Sequence, residues 1–299
     1  MKQLYPSIGL EKLCRLFGKT RQAFYDHTWR GEDTQLQEAI ILDLVKQVRK
    51  SLPKVGTLKL IHMLKDDLVA HGITIGRDSF FALLKKHDLY IKRKRKYAVT
   101  TDSNHAYKKW SDLVKDIQIQ SPEQVWASDI TYLRTTDSFI YLSLITDAYS
   151  RKIVGYHLSQ NLKVHGCLIS LNKAISSRTT NKPLIHHSDR GVQYCCESYV
   201  SMLQKNNIAI SMTQDGSPYD NALAERVNGI LKSELDLDKT FSSYNEAIPI
   251  VHYAVDAYNR LRPHMSISNL TPNKAHYTSQ KLQKTWKKKI YCKAKSVLL

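Results

Sequence analysis

Apolar residues change their rhythm along this chain. In the first ninety residues they recur at helical spacing. "LEKLCRLF" (10–17) places Leu10, Leu13, Leu16 and Phe17 on one face, Gly18 breaks the run, and Thr20 stands where it can cap a second short helix, "RQAFYDHTW". A second helical pair follows, "LKLIHMLKDDLVAHG" ending at Gly72, then "GRDSFFALLKKHDL". From 123 onward the apolar runs shorten to strand length: "EQVWASDITYL" (123–133), "SFIYLSLITDAY" (138–149) and "KIVGYHLS" (152–159). "HGCLISLNKAISS" (165–177) reads as a helix, "PLIHHSD" (183–189) as a strand, "SYVSMLQKNN" (198–207) as a helix and "IAISMT" (208–213) as a strand, before a long helix from about Asn221.

Three strands followed by alternating helices and strands predict a mixed α/β sheet with helices on its faces. That order is compatible with a ribonuclease-H-like fold. The first two helices and their glycine turn have the helix-turn-helix pattern, whose second helix can enter a DNA major groove, with Arg21 and Gln22 early on it. The predicted organisation is a helix-turn-helix module over 1–50, a second helical DNA-binding module over 51–96, and a linker over 97–122. The mixed-sheet core covers 123–240, and a C-terminal helix with a basic, mainly helical tail covers 241–299.

Charge adds a partner to this picture. The net charge is +18, and it is segregated: +11 over residues 1–110, −1 over 111–240 and +8 over 241–299. Basic arms around a neutral core suit a polyanion, because each neutralised phosphate releases counterions. The run "IKRKRK" (91–96), with Arg93, Lys94 and Arg95 at its heart, is placed to track a phosphate backbone. No apolar run approaches the roughly 18 residues needed to span a bilayer, and no signal-peptide core follows Met1. The five cysteines, Cys14, Cys167, Cys195, Cys196 and Cys292, are odd in number and scattered, with neither a disulfide framework nor zinc-finger spacing. These features place the protein in the cytoplasm, without a membrane partner.

Three carboxylates carry the candidate chemistry. Asp129 lies in a strand whose two faces are both apolar, the signature of a central strand, where an aspartate is costly unless paired or bound to a cation. Asp189 ends the strand that also delivers His186, His187 and Arg190, and strand carboxyl ends are where open α/β sheets place their sites. On the helix "NALAERVNGILKSELD", Asn221, Glu225, Asn228 and Lys232 fall within about 60° of one another, opposite Leu223, Val227, Ile230 and Leu231. Glu234 misfits, falling on the apolar side. Three such carboxylates suit hard cations that prefer oxygen ligands, and two Mg²⁺ ions could share an in-line phosphodiester displacement. Asp147 reads as structural support or a DNA contact, and Asp220 as the cap of the Glu225 helix.

At these residues the chain resembles the IS-three family of transposases, whose catalytic core is of the retroviral-integrase type. "WASDITYL" (126–133), "HHSDRGVQY" (186–194) and "SPYDNALAERVNGILKSEL" (217–235) match its three catalytic blocks, with 35 residues between Asp189 and Glu225 and a lysine seven after the glutamate. "YNRLRPHMSISNLTP" (258–272) matches the family's tail motif, with Arg262, Pro263 and His264 in place, and "DAYSRKIVGYHL" (147–158) also fits. The amino-terminal half matches less well; of the family's usual segment near "KVGTLKLIHML" (54–64), only Gly56 and the later apolar pattern survive.

The resemblance implies that Asp129, Asp189 and Glu225 are catalytic and hold two Mg²⁺ ions, with Mn²⁺ able to substitute. It implies that His186 and His187 line the site, with Arg190 beside DNA. The helix face adds Asn221 and Asn228 to the lining and places Lys232 to grip a phosphate, Arg262 reads as a DNA contact, and His264 reads equally as a group lining the site or as a structural hydrogen-bond partner. The activity the resemblance implies is nicking and strand transfer at the inverted ends of an insertion sequence in double-stranded DNA. The protein would act as at least a homodimer in a bacterial, nucleoid-associated setting. An upstream-frame DNA-binding protein is a possible partner, since the family commonly fuses such a frame to this one. A regulator with a silent core would have lost one of the three acidic residues, and a structure-specific nuclease would need neither the helical pairs nor the tail motif.

Overall fold

The structure, a computed structural model, describes residues 7–91, 106–214 and 222–283. It forms two compact units, one of residues 1–50 with 56–90 and the other of 51–55 with 91–299.

The first unit is helical. α1 (Leu10–Leu16) ends where Gly18 takes φ +62°, a conformation costly for any residue with a Cβ. The Thr20 hydroxyl then accepts a 3.1 Å hydrogen bond from the Ala23 amide and caps α2 (Arg21–Ser51). α2 has 31 residues instead of stopping near Trp29. A glycine inside a helix costs only about 1 kcal/mol, so Gly31 does not end it, and Ile41 and Val45 farther along are fully buried. α3 (Thr57–Met63), α4 (Lys65–Ala70) and α5 (Arg77–Lys86) complete the unit, so residues on both sides of position 50 share it. Leu60, Leu64, Phe80 and Leu84 supply its buried side chains.

The second unit contains the sheet. β1 (Val125–Thr135), β2 (Phe139–Asp147) and β3 (Ile153–Ser159) form an antiparallel meander, followed by α6 (Val164–Ser176), β4 (Leu184–Ser188), α7 (Val192–Cys195), α8 (Glu197–Lys205) and β5 (Ile208–Met212). Next come α9 (Ala222–Glu234), a two-residue β6 (Thr240–Phe241), α10 (Tyr244–Arg260) and α11 (Pro272–Tyr277). Strand order is β3-β2-β1-β4-β5, with β4 and β5 parallel to β1 and β6 pairing with the far end of β1. This is the ribonuclease-H-like arrangement expected from the order of elements. β1 lies in the middle, as its doubly apolar faces require.

One core cluster joins Trp126 and Ile145 to Leu171 and Ala174 of α6, Tyr194 and Cys195 of α7, and Tyr199 and Leu203 of α8. α6 lies so close on β3 that a Cβ at Gly155 would overlap the Ser170 carbonyl oxygen and come within 2.8 Å of the Ala174 Cβ. α9 packs on β1 and β2 outside that cluster, and α10 packs against β3, α9 and α11.

The segment read as a linker before the core is partly docked on the sheet: the Ser111 carbonyl accepts from Met212 N, and the Leu113 amide donates to Ser211 Oγ at 2.8 Å. Among the described residues, no helix is long and apolar enough to cross a membrane.

Candidate active site

The parallel register of β1 and β4 ends with Ala127 opposite His187, and both chains continue two residues to Asp129 and Asp189, close enough that the charge of Asp189 is felt at Asp129. Both are partly buried. Asp189 is held in a turn, its Oδ1 accepting from the Gly191 amide at 3.0 Å. Asp129 Oδ1 accepts from the Ile130 amide at 2.9 Å, and its Oδ2 accepts from Asn228 Nδ2 at 2.7 Å. Burial, followed by the like charge of Asp189 and then of Glu225, pushes the Asp129 carboxyl up to about 7. The two hydrogen bonds oppose this shift without cancelling it.

Glu225 is exposed in the first turn of α9, where the helix dipole favours negative charge. Val227, Ile230 and Leu231 bury the other side of that helix, and Asn228 is 6% exposed, with its Oδ1 buried and making no hydrogen bond. Lys232 is half-buried, its Nζ 4.8 Å from the Tyr132 ring centroid. Among the described residues, no three His, Cys, Asp or Glu side chains stand close enough to form a metal cluster. The charge of Glu225 is nevertheless felt at the Asp129 carboxyl. The donor set suits a hard divalent cation: all oxygen, with a repulsion at Asp129 and Asp189 that only positive charge relieves.

The Integrase core domain family matches this region, with one description covering residues 119–218 and a second covering 206–272. A transposase InsF for insertion sequence IS3fB, from Escherichia coli strain K12, is 32% identical over 266 residues, covering 88% of this chain and 92% of its own. The chain belongs to the IS3 (IS-three) family of transposases. The IS600 31 kDa protein of Shigella sonnei is likewise 32% identical, over 87% of this chain and 96% of its own length. Among solved structures, the HTLV-2 integrase catalytic core domain in complex with magnesium is 21% identical with a TM-score of 0.42, covering 52% of this chain and 98% of that one.

Several residues of the transposase lie elsewhere than its sequence suggests. His186 is 1% exposed, and its Nε2 is shared by Ser128 Oγ at 2.6 Å and Tyr199 Oη at 2.9 Å. Burial, with His187 adding to it, drives its pKa down to about 3, so it is a neutral core residue and not part of the site lining. His187 is also buried, with Nδ1 2.8 Å from Ser211 Oγ. Arg262 was expected at DNA. Instead it is 2% exposed, and its guanidinium grips Glu234 in a two-pronged ion pair at 2.8 and 2.9 Å. Its Nη1 is 2.8 Å from His264 Nε2, so His264 is likewise a buried structural partner and does not line the site. A guanidinium desolvated and paired in this way presents nothing to a phosphate.

Asp147 is structural: fully buried, it accepts from the Glu123 amide and from the amide and hydroxyl of Ser150. Arg190 is half-buried beside Asp189, and Arg21 and Gln22 are exposed at the start of α2. Gln22 Nε2 donates to Asp26 at 2.9 Å, and Arg21 stacks on Tyr25. Arg93, Lys94, Arg95, Asn221 and Asp220 lie outside the described residues. Ser128, Tyr199 and Tyr132 escaped sequence reading because nothing in strand or helix periodicity marks which hydroxyl meets which ring. Glu234 did carry a signal: a charge on an apolar helix face must be paired.

Proposed function

We propose that this transposase nicks DNA at the ends of its insertion sequence and joins the released 3′-hydroxyl to a second strand, with Asp129, Asp189 and Glu225 as the metal-holding carboxylates. The observation that supports this reading most is the juxtaposition of Asp129 with Asp189 across the β1–β4 pair, with the charge of Glu225 felt at the same carboxyl. Two Mg²⁺ ions, or Mn²⁺ in their place, supply Lewis acidity at the attacking and leaving oxygens of an in-line displacement when bound. The chain's own residues do the rest. Asn228 and the Ile130 amide hold both oxygens of Asp129 in a fixed orientation, and the Gly191 amide fixes Asp189. A carboxyl with a pKa of about 7 is only partly ionised at neutral pH, so added positive charge completes its ionisation. No serine or tyrosine nucleophile is assigned, because the attacking group is water or a DNA 3′-hydroxyl.

Lys232 and Arg190 supply cations for the phosphates beside the carboxylates. Arg21 and Gln22 contact the element ends from the helical unit, and the basic run at 91–96 and the C-terminal tail add affinity without sequence preference. Working on two ends requires at least two copies of the chain. The upstream-frame DNA-binding protein is an additional partner, and the setting is the bacterial nucleoid.

The experiment is a labelled duplex carrying the element's own boundary, incubated with the protein and Mg²⁺ or with EDTA. Nicking at the boundary followed by strand joining, in Mg²⁺ alone, is expected. Specific binding with no cleavage in Mg²⁺ or Mn²⁺, even after addition of the upstream-frame protein, would contradict the reading.

A further inference from the structure

We infer that Arg262 is a positioning residue for the helix that carries Glu225, and that the Arg262-Pro263-His264 motif is a brace on the catalytic core rather than a DNA contact. The inference rests on the role proposed above for Glu225. α9 carries Glu225 at its first turn and Glu234 at its last. Arg262 Nε and Nη2 donate to the two oxygens of Glu234 at 2.9 and 2.8 Å, and both side chains are sheltered from solvent. The planar fork fixes direction as well as distance, which a lysine cannot do.

Arg262 is itself fixed. Its Nη1 bonds His264 Nε2 at 2.8 Å, the His264 ring meets Tyr258 edge-on at 5.0 Å, and the Tyr258 hydroxyl donates to the Arg151 carbonyl at 3.0 Å. Asn259, one residue after Tyr258, donates to the Ile153 carbonyl and accepts from the Ile153 amide, both at 2.9 Å. The end of α10 is thereby locked to β3. A rigid chain of contacts runs from β3 through Tyr258, His264 and Arg262 to the last turn of α9. On its other side that turn receives the Lys54 amide, which donates to the Glu234 carbonyl at 3.0 Å.

The lever arm shows why this matters. Nine residues separate Glu234 from Glu225, about 13.5 Å along a helix. With the Asn228–Asp129 bond as pivot, Glu225 lies about 4.5 Å along the helix from it, so a tilt of about 10° on loss of the brace would move Glu225 by about 0.8 Å, more than the roughly 0.5 Å within which a catalytic constellation must be held. α9 meets the carboxylate strand at Asn228, which bonds Asp129 three residues beyond Glu225, and at Lys232, whose ammonium lies over the Tyr132 ring. The brace fixes the far end of the helix, and with it the helix direction.

The test compares wild type with Arg262→Lys, Glu234→Gln and the exchanged pair Glu234→Arg with Arg262→Glu. Each is measured for melting temperature, affinity for an element-end duplex in EDTA, Mn²⁺ affinity by electron paramagnetic resonance, and single-turnover nicking at saturating DNA. Arg262→Lys is expected to bind DNA within about twofold of wild type, to bind Mn²⁺ severalfold more weakly, and to nick at least tenfold more slowly. Adding it to Glu225→Gln should cost nothing further, and the exchanged pair should recover part of the Mn²⁺ affinity. The inference is overturned if Arg262→Lys loses DNA affinity while its saturated rate and Mn²⁺ affinity stay at wild-type values. It is also overturned if rate and metal affinity fall only in proportion to the unfolded fraction. Failure of wild type itself to bind Mn²⁺ or to nick would instead remove the proposed function on which the brace rests.

Discussion

Asn228 of α9 donates a 2.7 Å hydrogen bond to Oδ2 of Asp129 on β1, which ties the helix bearing Glu225 to the strand bearing the first aspartate. The contact is buried on the Asn228 side, and the remaining amide oxygen has no hydrogen-bond partner. Such a side chain orients the carboxylate without adding charge. Asn228→Ala is expected to reduce nicking about 10- to 100-fold, the usual cost of losing a group that orients a metal-holding residue. Asn228→Asp should melt at a lower temperature than Asn228→Ala in the absence of metal, because it adds a fourth carboxylate beside Asp129, which already feels the charges of Asp189 and Glu225. Nicking rates at several Mg²⁺ concentrations, with a melting curve for each variant, check both outcomes.

The raised pKa of Asp129 has a thermodynamic consequence. Its folded value of about 7 lies above the ordinary 3.8, so between those values the folded state holds a proton that the unfolded chain has released. Stability from this group is fully present below about pH 4 and is lost as pH rises through 7. Asp129→Asn should therefore raise the melting temperature at pH 8, by an amount bounded by about a few kcal/mol, and have little effect near pH 4. Mg²⁺ should stabilise wild type at pH 8 more than Asp129→Asn. Scanning calorimetry across this range, with and without metal, measures each part.

His186 works in the opposite direction. Its folded pKa of about 3 lies below the ordinary 6.5, so its contribution is present above 6.5 and is lost as pH falls toward 3. Between about pH 4 and 6.5 the Asp129 and His186 contributions oppose each other. Replacing His186 with Gln should flatten the acid limb of the stability profile and leave Mn²⁺ affinity unchanged. A loss of metal affinity in that variant would return His186 to the site.

Much of this architecture was legible in the sequence. Seven of the eight elements from β1 to β5 fall close to their expected positions, because apolar runs of strand length alternate there with helical spacing; the one-turn α7 was not expected. Asp129 stood out because a charge in a doubly apolar strand is costly. What could not be read were the pairings that depend on three-dimensional neighbours. An "RPH" following a helix looks like a DNA contact until Glu234, 28 residues earlier, is found gripping it. "IHH" looks like site lining until Tyr199 and Ser211 are found beside the two rings. The length of α2 was missed because Gly31 and Gly18 look alike in sequence, although only Gly18 takes a positive φ in a turn.

Gly155 offers a test of the packing itself. A methyl group there would meet the Ser170 carbonyl and Ala174 of α6. Backbone cannot yield as a flexible side chain can, so Gly155→Ala should destabilise the core by about 1–3 kcal/mol. Denaturant unfolding of this variant, with the slope compared to wild type, checks the magnitude. An unchanged midpoint would mean that α6 does not lie this close to β3.

The central claim is that Asp129, Asp189 and Glu225 act together in one metal-dependent cut. Its most direct test is single-turnover nicking of an element-boundary duplex in saturating Mg²⁺, comparing wild type with Asp129→Asn, Asp189→Asn and Glu225→Gln. Asp137→Asn, a substitution in the exposed β1–β2 turn, serves as the control. The account predicts a boundary nick in wild type and the control, and its loss in all three other variants while each still binds the duplex. Wild-type nicking by Glu225→Gln would contradict the account.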